Sequence, residues 1–311
     1  MALNFKKDTI LSLSKSIERL SEPASYEQVY HRPQLSEEMP SVKAIKEIME
    51  LVKEIVFPGY FGSNALRADT INFHMGVYVD KLYKALVTQI KRGFCFSCIE
   101  DKSSDCDNCK SKSESLALEF VDYLTQIRSQ LAQDVHTMYL YDPAAKGYGE
   151  IIFAYPAIKA ITHYRVAHKL HILGVPIIPR IITEMAHSDT GIDIHPGATI
   201  GENFVIDHGT GVVIGETCII GNNVRLYQGV TLGARSFKLD KEGNPIKGIA
   251  RHPIVEDDVI IYSGATILGR VTIGKGSIIG GNVWLTQDLP ANSKVVQGKP
   301  REMLFEMGSG I

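Results

Sequence analysis

Asp207 and His208 stand side by side in IDHGTGVVIGE, residues 206–216, in a stretch where aliphatic residues otherwise recur at every sixth position. Ile206 and Ile214 are eight apart instead of six, so two extra residues arrive together with an acid and an imidazole. An insertion of that kind bulges one corner of a repeat outward and frees side chains from stacking. Imidazole titrates nearest neutral pH, which suits it to act as a general base. A base of this kind needs a carboxylate to fix its tautomer and stabilise the imidazolium. A second group stands far upstream in CFSCIEDKSSDCDNC, where Cys95, Cys98, Cys106 and Cys109 form two CxxC pairs seven residues apart. Four thiolates at this spacing read as a tetrahedral site for a structural Zn²⁺, with an iron–sulfur cluster or disulfides as alternatives.

The elements that must position these groups change character near residue 190. Before it, ILSLSKSIERL, VKAIKEIMELVKEIV, MGVYVDKLYKALVTQIKRG, SESLALEFVDYLTQIRSQLAQDV and AIKAITHYRVAHKLHILG place apolar residues three and four apart, the pattern of amphipathic helices. FPGYFGSN, the cysteine segment and YDPAAKGYGE interrupt them. After it, aliphatic residues fall at 194, 200 and 206, then 214, 220, 226 and 232, and again at 255, 261, 267, 273, 279 and 285. Small or branched residues follow four places on, at Ala198, Thr210, Cys218, Val224 and their successors, and glycine often follows the aliphatic residue directly. A period of six with this grammar is that of a parallel β-helix whose inward side chains stack coil on coil, about 4.8 Å apart. The expected fold is α + β: an all-helical domain over 1–190 with a cysteine insertion at 95–109, a β-helix over 191–290 with an excursion at 234–252, and a tail over 291–311.

The chain has 311 residues, 44% hydrophobic and 22% charged, with net charge −2. That balance argues against a basic nucleic-acid surface. No apolar run reaches the roughly 18 residues of a membrane span, and the first twenty lack a signal-peptide core. A cytoplasmic enzyme is the expectation. There, clustered cysteines favour metal over disulfides.

The repeats resemble those of the hexapeptide acyltransferases, whose solenoid is left-handed. More narrowly, DIHPGATIG, IDHGTGVVIGET, RHP, VQGKPR and YDPAA resemble the serine O-acetyltransferase family, closely over about 130–311 and only generally before it. The resemblance implies acetyl transfer from acetyl-CoA to the hydroxyl of L-serine, the first step of cysteine biosynthesis. It implies His208 as general base and Asp193, about one coil below it, as the orienting carboxylate. It gives Asp142 and Asp207 the substrate's ammonium and hydroxyl, and Arg251 and His252 its carboxylate, for which a guanidinium fork is well shaped. The pantetheine arm would run along the solenoid between subunits, past the small residues Gly233, Ala234, Gly264 and Ala265. Ala234 departs from the Gly-Gly usual in the family, and the excursion after it is long enough to act as a lid. Arg235, Lys238, Lys241 and Lys247 on that excursion are candidates for the CoA phosphates or simply solvated.

The resemblance further implies a trimer or a dimer of trimers and feedback inhibition by L-cysteine. It also implies that the C-terminal Ile311 docks into O-acetylserine sulfhydrylase. A hexapeptide acyltransferase for a sugar or another small acceptor would share the solenoid and the base, and is the alternative reading. A γ-type carbonic anhydrase needs a second histidine five residues after the first, and Val213 stands there. His163 and His168 are expected in helix packing, and His195 either in the site or capping the solenoid's start.

Overall fold

The computed structural model describes residues 7–30, 38–62, 66–100 and 107–298. Eight helices come first: α1 (Lys7–Ser21), α2 (Pro23–Tyr26), α3 (Val42–Val56), α4 (Ile71–Glu100), α5 (Asp107–Tyr141), α6 (Tyr148–Ala154), α7 (Pro156–Ile172) and α8 (Ile178–Thr190). Their sequence patterns explain their packing. In α3 the buried residues Ile45, Ile48, Met49, Val52, Ile55 and Val56 form one stripe, and the Ser41 side chain accepts the Ala44 N–H at its start. α4 and α5 form a long antiparallel hairpin against α3. The first cysteine pair, expected to interrupt the helices, lies within α4 instead. Cys95 and Cys109 are buried at facing ends of the hairpin. The side chain of Cys98 and the whole of Cys106 lie outside the described residues. No helix among the described residues is long and apolar enough to cross a membrane.

Fourteen short strands then wind a left-handed parallel β-helix. Its first coil is β1 (Asp193–Ile194), β2 (Thr199–Ile200) and β3 (Val205–Asp207); the second is β4 (Val213–Ile214), β5 (Ile219–Ile220) and β6 (Arg225–Tyr227). The third is β7 (Thr231–Gly233), β8 (Ile254–Val255) and β9 (Ile260–Ile261), and the fourth β10 (Thr266–Leu268), β11 (Thr272–Ile273) and β12 (Ile278–Ile279). β13 (Trp284–Leu285) and β14 (Lys294–Val295) end it, so a strand falls inside the segment read as tail. Each coil contributes one strand to each of three sheets, in the orders β1-β4-β7-β10-β13, β2-β5-β8-β11 and β3-β6-β9-β12-β14. The excursion between β7 and β8 leaves this register intact, because β4 pairs with β7 and β5 with β8.

All thirteen aliphatic positions of the six-residue count are buried. One position of the second column is corrected: Thr210 is exposed, and Val212, fully buried, fills the interior in its place. The two inserted residues move the inward position along the chain by two.

α7 closes the open end of the solenoid. Tyr164 donates its hydroxyl to Ala198 O (2.6 Å), His168 Nδ1 bonds Pro196 O (2.8 Å) and Arg165 donates to Gly201 O (3.0 Å). Arg165 also forms a fork with the fully buried Asp134 of α5 (2.8 and 3.0 Å), and Asp134 accepts the Phe204 N–H (2.9 Å). Helices and first coil are thereby one packed unit, with the first coil's backbone edge covered. His163 and His168 serve packing, as expected; His163 is buried and bonded to Lys159 O (2.8 Å).

Candidate active site

The turn from β3 to β4 carries the inserted residues. His208 takes a left-handed backbone (φ 56°), a region histidine tolerates better than most side chains. Gly209 follows with φ 89°, and a Cβ there would lie 2.5 Å from Ile192 Cδ1, so only glycine lets the turn sit on the coil below. The turn is bonded to that coil through Gly211 N–H to Gly191 O (2.8 Å) and Asp193 N–H to Val212 O (2.9 Å). His208 is thus held on a rigid base with its side chain 73% exposed, its Nε2 3.8 Å from Asp207 Oδ1.

His208 and Asp207 line an open cavity of about 570 Å³ together with Asp142, Ala144, Tyr155, Pro156, Ala157 and Thr210. Asp142 opens the turn after α5, where its Oδ1 accepts the Ala144 N–H (2.8 Å) and its Oδ2 the Tyr155 hydroxyl. Those bonds, the tyrosine's first, hold the Asp142 carboxyl below its ordinary range, and the same bond pushes the Tyr155 phenol up to about 12. In an adjoining cavity that Asp142, Tyr155 and Asp207 also line, Arg225 lies over the Tyr141 ring (3.5 Å to the centroid), and Tyr227 stacks on Tyr262 one coil up (5.0 Å).

The other predicted site residues lie elsewhere. Asp193 is directly beneath the His208 turn, but no hydrogen bond joins it to His208. Its carboxylate meets Glu184 and His187 of α8, ligand atoms all within 4.8 Å. Asp207 is the carboxylate nearest the His208 ring among the ion pairs of the structure. Arg251 and His252 stand at a different corner of the coil, past β4 and β7. Arg251 pairs with Glu216 (2.7 Å). His252 is buried; its Nδ1 accepts the Thr217 N–H (3.1 Å), which leaves its proton on Nε2. Burial, with Arg251 beside it, pushes the His252 pKa down to about 4, so the ring is neutral. His195, at the same corner, accepts the Gly197 N–H (3.0 Å) and is likewise driven to about 4 by burial.

Of the small residues read as lining the pantetheine groove, Ala265 is fully buried, so its methyl belongs to the interior column. A Cβ at Gly264 would meet Asn282 Oδ1 at 2.4 Å, and one at Gly233 would meet Leu268 at 2.9 Å. Coil stacking alone therefore accounts for both glycines. Ala234 is half-buried at the start of the excursion. Under the excursion lies a second cavity of about 280 Å³, lined by Arg235, Lys238, Arg251 and Arg270. Arg251 Nε is buried without a hydrogen-bond partner. Sequence reasoning missed Tyr155, Arg225, Glu216 and Thr217. The one signal was local: Tyr155-Pro156 breaks a helical run beside YDPAA.

A coil of hexapeptide repeats with a projecting histidine and carboxylates in a surface cleft defines a hexapeptide acyltransferase. Residues 252–287 match the family model described as bacterial transferase hexapeptide (six repeats). The chain is 48% identical to the plasmid serine acetyltransferase of Synechococcus elongatus over 88% of this chain and 86% of that protein. It is 44% identical to the serine acetyltransferase of Bacillus subtilis over 58% of this chain and 79% of that one. Its fold matches Entamoeba histolytica serine acetyltransferase 1, solved with L-cysteine, at a TM-score of 0.70 and 32% identity, covering 91% of this chain and 94% of that one. The chain belongs to the serine acetyltransferase family and is an acyltransferase.

Proposed function

We propose that the cavity at the β3–β4 turn transfers the acetyl group of acetyl-CoA to the hydroxyl of L-serine, with His208 as general base. The observation that carries this reading is the convergence of Asp142, Asp207 and His208, which come from a helix end and a solenoid turn 65 residues apart in sequence, on one cavity. Two carboxylates suit a substrate bearing an ammonium group and a hydroxyl. A neutral sugar offers hydroxyls but no cation to offset the two negative charges.

His208 takes the hydroxyl proton as the serine oxygen attacks and returns it to the leaving sulfur. Bound acetyl-CoA supplies a thioester, an activated acyl carbon with a thiol leaving group. Asp193 orients the imidazole in this reading, with Asp207 closer to it. The donor set suits an anionic carrier: Arg235, Lys238 and Arg270 line the cavity under the excursion. The small residues Gly233, Ala234, Gly264 and Ala265 would then offer backbone rather than side-chain contact.

Because Arg251 and His252 stand at another corner, they would reach the substrate's carboxylate from a neighbouring subunit, which favours a trimer with shared sites. The cysteine-bound relative supports L-cysteine as an inhibitor of the serine site. Docking of Ile311 into O-acetylserine sulfhydrylase, zinc at Cys95, Cys98, Cys106 and Cys109, and a cytoplasmic location belong to the same reading. Ile311 lies outside the described residues.

The test is thiol release from acetyl-CoA with L-serine, homoserine, a galactoside or no acceptor. Serine-dependent release that falls about 10²–10⁴-fold in His208→Ala is expected. Release with the galactoside but not serine would sink the reading.

A further inference from the structure

We propose that Tyr155 is a positioning residue for substrate discrimination: its hydroxyl holds the Asp142 carboxylate toward the cavity, so that recognition of the substrate's ammonium depends on it. The inference rests on the assignment of Asp142 to the ammonium given above.

Asp142 is poorly placed to hold a fixed negative charge by itself. It follows the C-terminal end of α5, the negative end of a 35-residue helix, and shares its cavity with a second carboxylate, Asp207. Its two oxygens have separate partners. The Ala144 N–H bonds Oδ1 at 2.8 Å and fixes the turn, whereas Oδ2 has only the Tyr155 hydroxyl. Without that hydroxyl the carboxylate would keep one anchor instead of two, and Oδ2 would face Asp207's like charge with no donor.

The hydroxyl is itself presented from a rigid base. Tyr155 is the one residue between α6 and α7; its N–H bonds Ile151 O (3.2 Å) and its backbone is extended (ψ 119°), as the following Pro156 requires. Pro156 opens α7, which Tyr164, Arg165 and His168 fasten to the first coil. The same helix that seals the solenoid therefore fixes the residue that carries the phenol into the cavity it shares with Asp207. A donor pre-placed in this way spares the substrate the cost of ordering Asp142 as it binds.

The test compares L-serine with 3-hydroxypropanoate, which keeps the hydroxyl and carboxylate but lacks the ammonium. Tyr155→Phe keeps the ring and removes only the donor. We expect kcat/KM for L-serine to fall about tenfold, chiefly through KM, the worth of one hydrogen bond to a charged group. The KM for acetyl-CoA should not change, nor should the inhibition constant of 3-hydroxypropanoate against serine. A general structural defect would instead weaken both ligands alike. Equal losses on both, or no loss on serine, would overturn the proposal. Asp142→Asn runs alongside. If it spares serine, Asp142 does not hold the ammonium and the proposal falls with it. If the unmodified enzyme shows no serine-dependent release, the reaction itself was misread, a failure distinguishable from the other two.

Discussion

The bond between Asp134 and Arg165 joins the two halves of the molecule, and removing one partner should be far more damaging than removing both. Asp134 is fully buried and Arg165 is 4% exposed. In Arg165→Met the carboxylate keeps only the Phe204 N–H, and a buried charge left without its partner costs about 3–5 kcal/mol. Asp134→Leu strands the guanidinium and should cost a similar amount. In the double variant no buried charge remains, and the loss is confined to Phe204 N–H and Gly201 O, each about 1–3 kcal/mol if left unsatisfied. The double variant should thus lie about 2–6 kcal/mol below the native protein, where simple addition of the singles gives about 6–10. Urea unfolding followed by circular dichroism at fixed protein concentration measures all four corners of the cycle. There is a functional readout as well: Asp142 lies eight residues, about 12 Å of helix, beyond Asp134, so a loosened α5 should raise the serine KM. Singles costing under about 1 kcal/mol, or a double equal to their sum, would refute this account of the junction.

Four further outcomes are expected. A Cβ in Gly215→Ala would sit 2.1 Å from His252 Cδ2, so the ring must leave its slot. Stability should drop about 1–3 kcal/mol, the His252 pKa should climb from about 4 toward the ordinary histidine value in an NMR titration, and an unmoved pKa would contradict the geometry. His163, His195 and His252 all have pKa values lowered to about 4. Between the ordinary value of 6.5 and about 4 the unfolded chain therefore binds more protons than the folded one, so stability should be level above neutrality and fall as pH drops through that window. An unfolding midpoint equal at pH 7.5 and pH 5 would refute it. Asp193→Asn should lower kcat with serine KM little changed, while Asp207→Asn should raise serine KM; the reverse pattern in steady-state kinetics would make Asp207 the orienting carboxylate. Elemental analysis of the purified protein should find about one zinc per chain, lost in Cys98→Ser, and metal-free native protein would remove zinc from the cysteine cluster.

The solenoid was legible because its signal is local and repeated: an inward residue every sixth position is buried whatever the rest of the chain does. The one misplaced position, Thr210, lies inside the insertion, where the count itself shifts. Asp207 and His208 were legible for the same reason, since a break in a regular pattern marks a place released from packing. The partners of Asp142 were not. The bond to Tyr155 depends on how α6 and α7 meet the first coil, a contact between segments whose patterns say only that they are amphipathic. The approach of Asp207 to the His208 ring was not legible either. The resemblance gave Asp193 the orienting role and the stack places it underneath, while the His208 ring lies 3.8 Å from Asp207, and no spacing rule carries a side chain's direction. Glu216 and Thr217 hold Arg251 and His252 from 34 to 35 residues away, across the excursion.

The seal that α7 places on the first coil also bears on how the chain assembles during synthesis. Strands here pair with partners about 20 residues ahead, or 35 where the excursion intervenes, so each new coil has a finished edge to add to only if the one before it is already in place. α7 and α8 leave the ribosome first and consist of short-range contacts that form without waiting for the rest. They supply the starting edge, and winding can then proceed in one direction, coil after coil, as the polypeptide lengthens. A chain shortened from its end should lose coils in order and keep a folded remainder, whereas one damaged at Tyr164 or Arg165 should lack a place to begin.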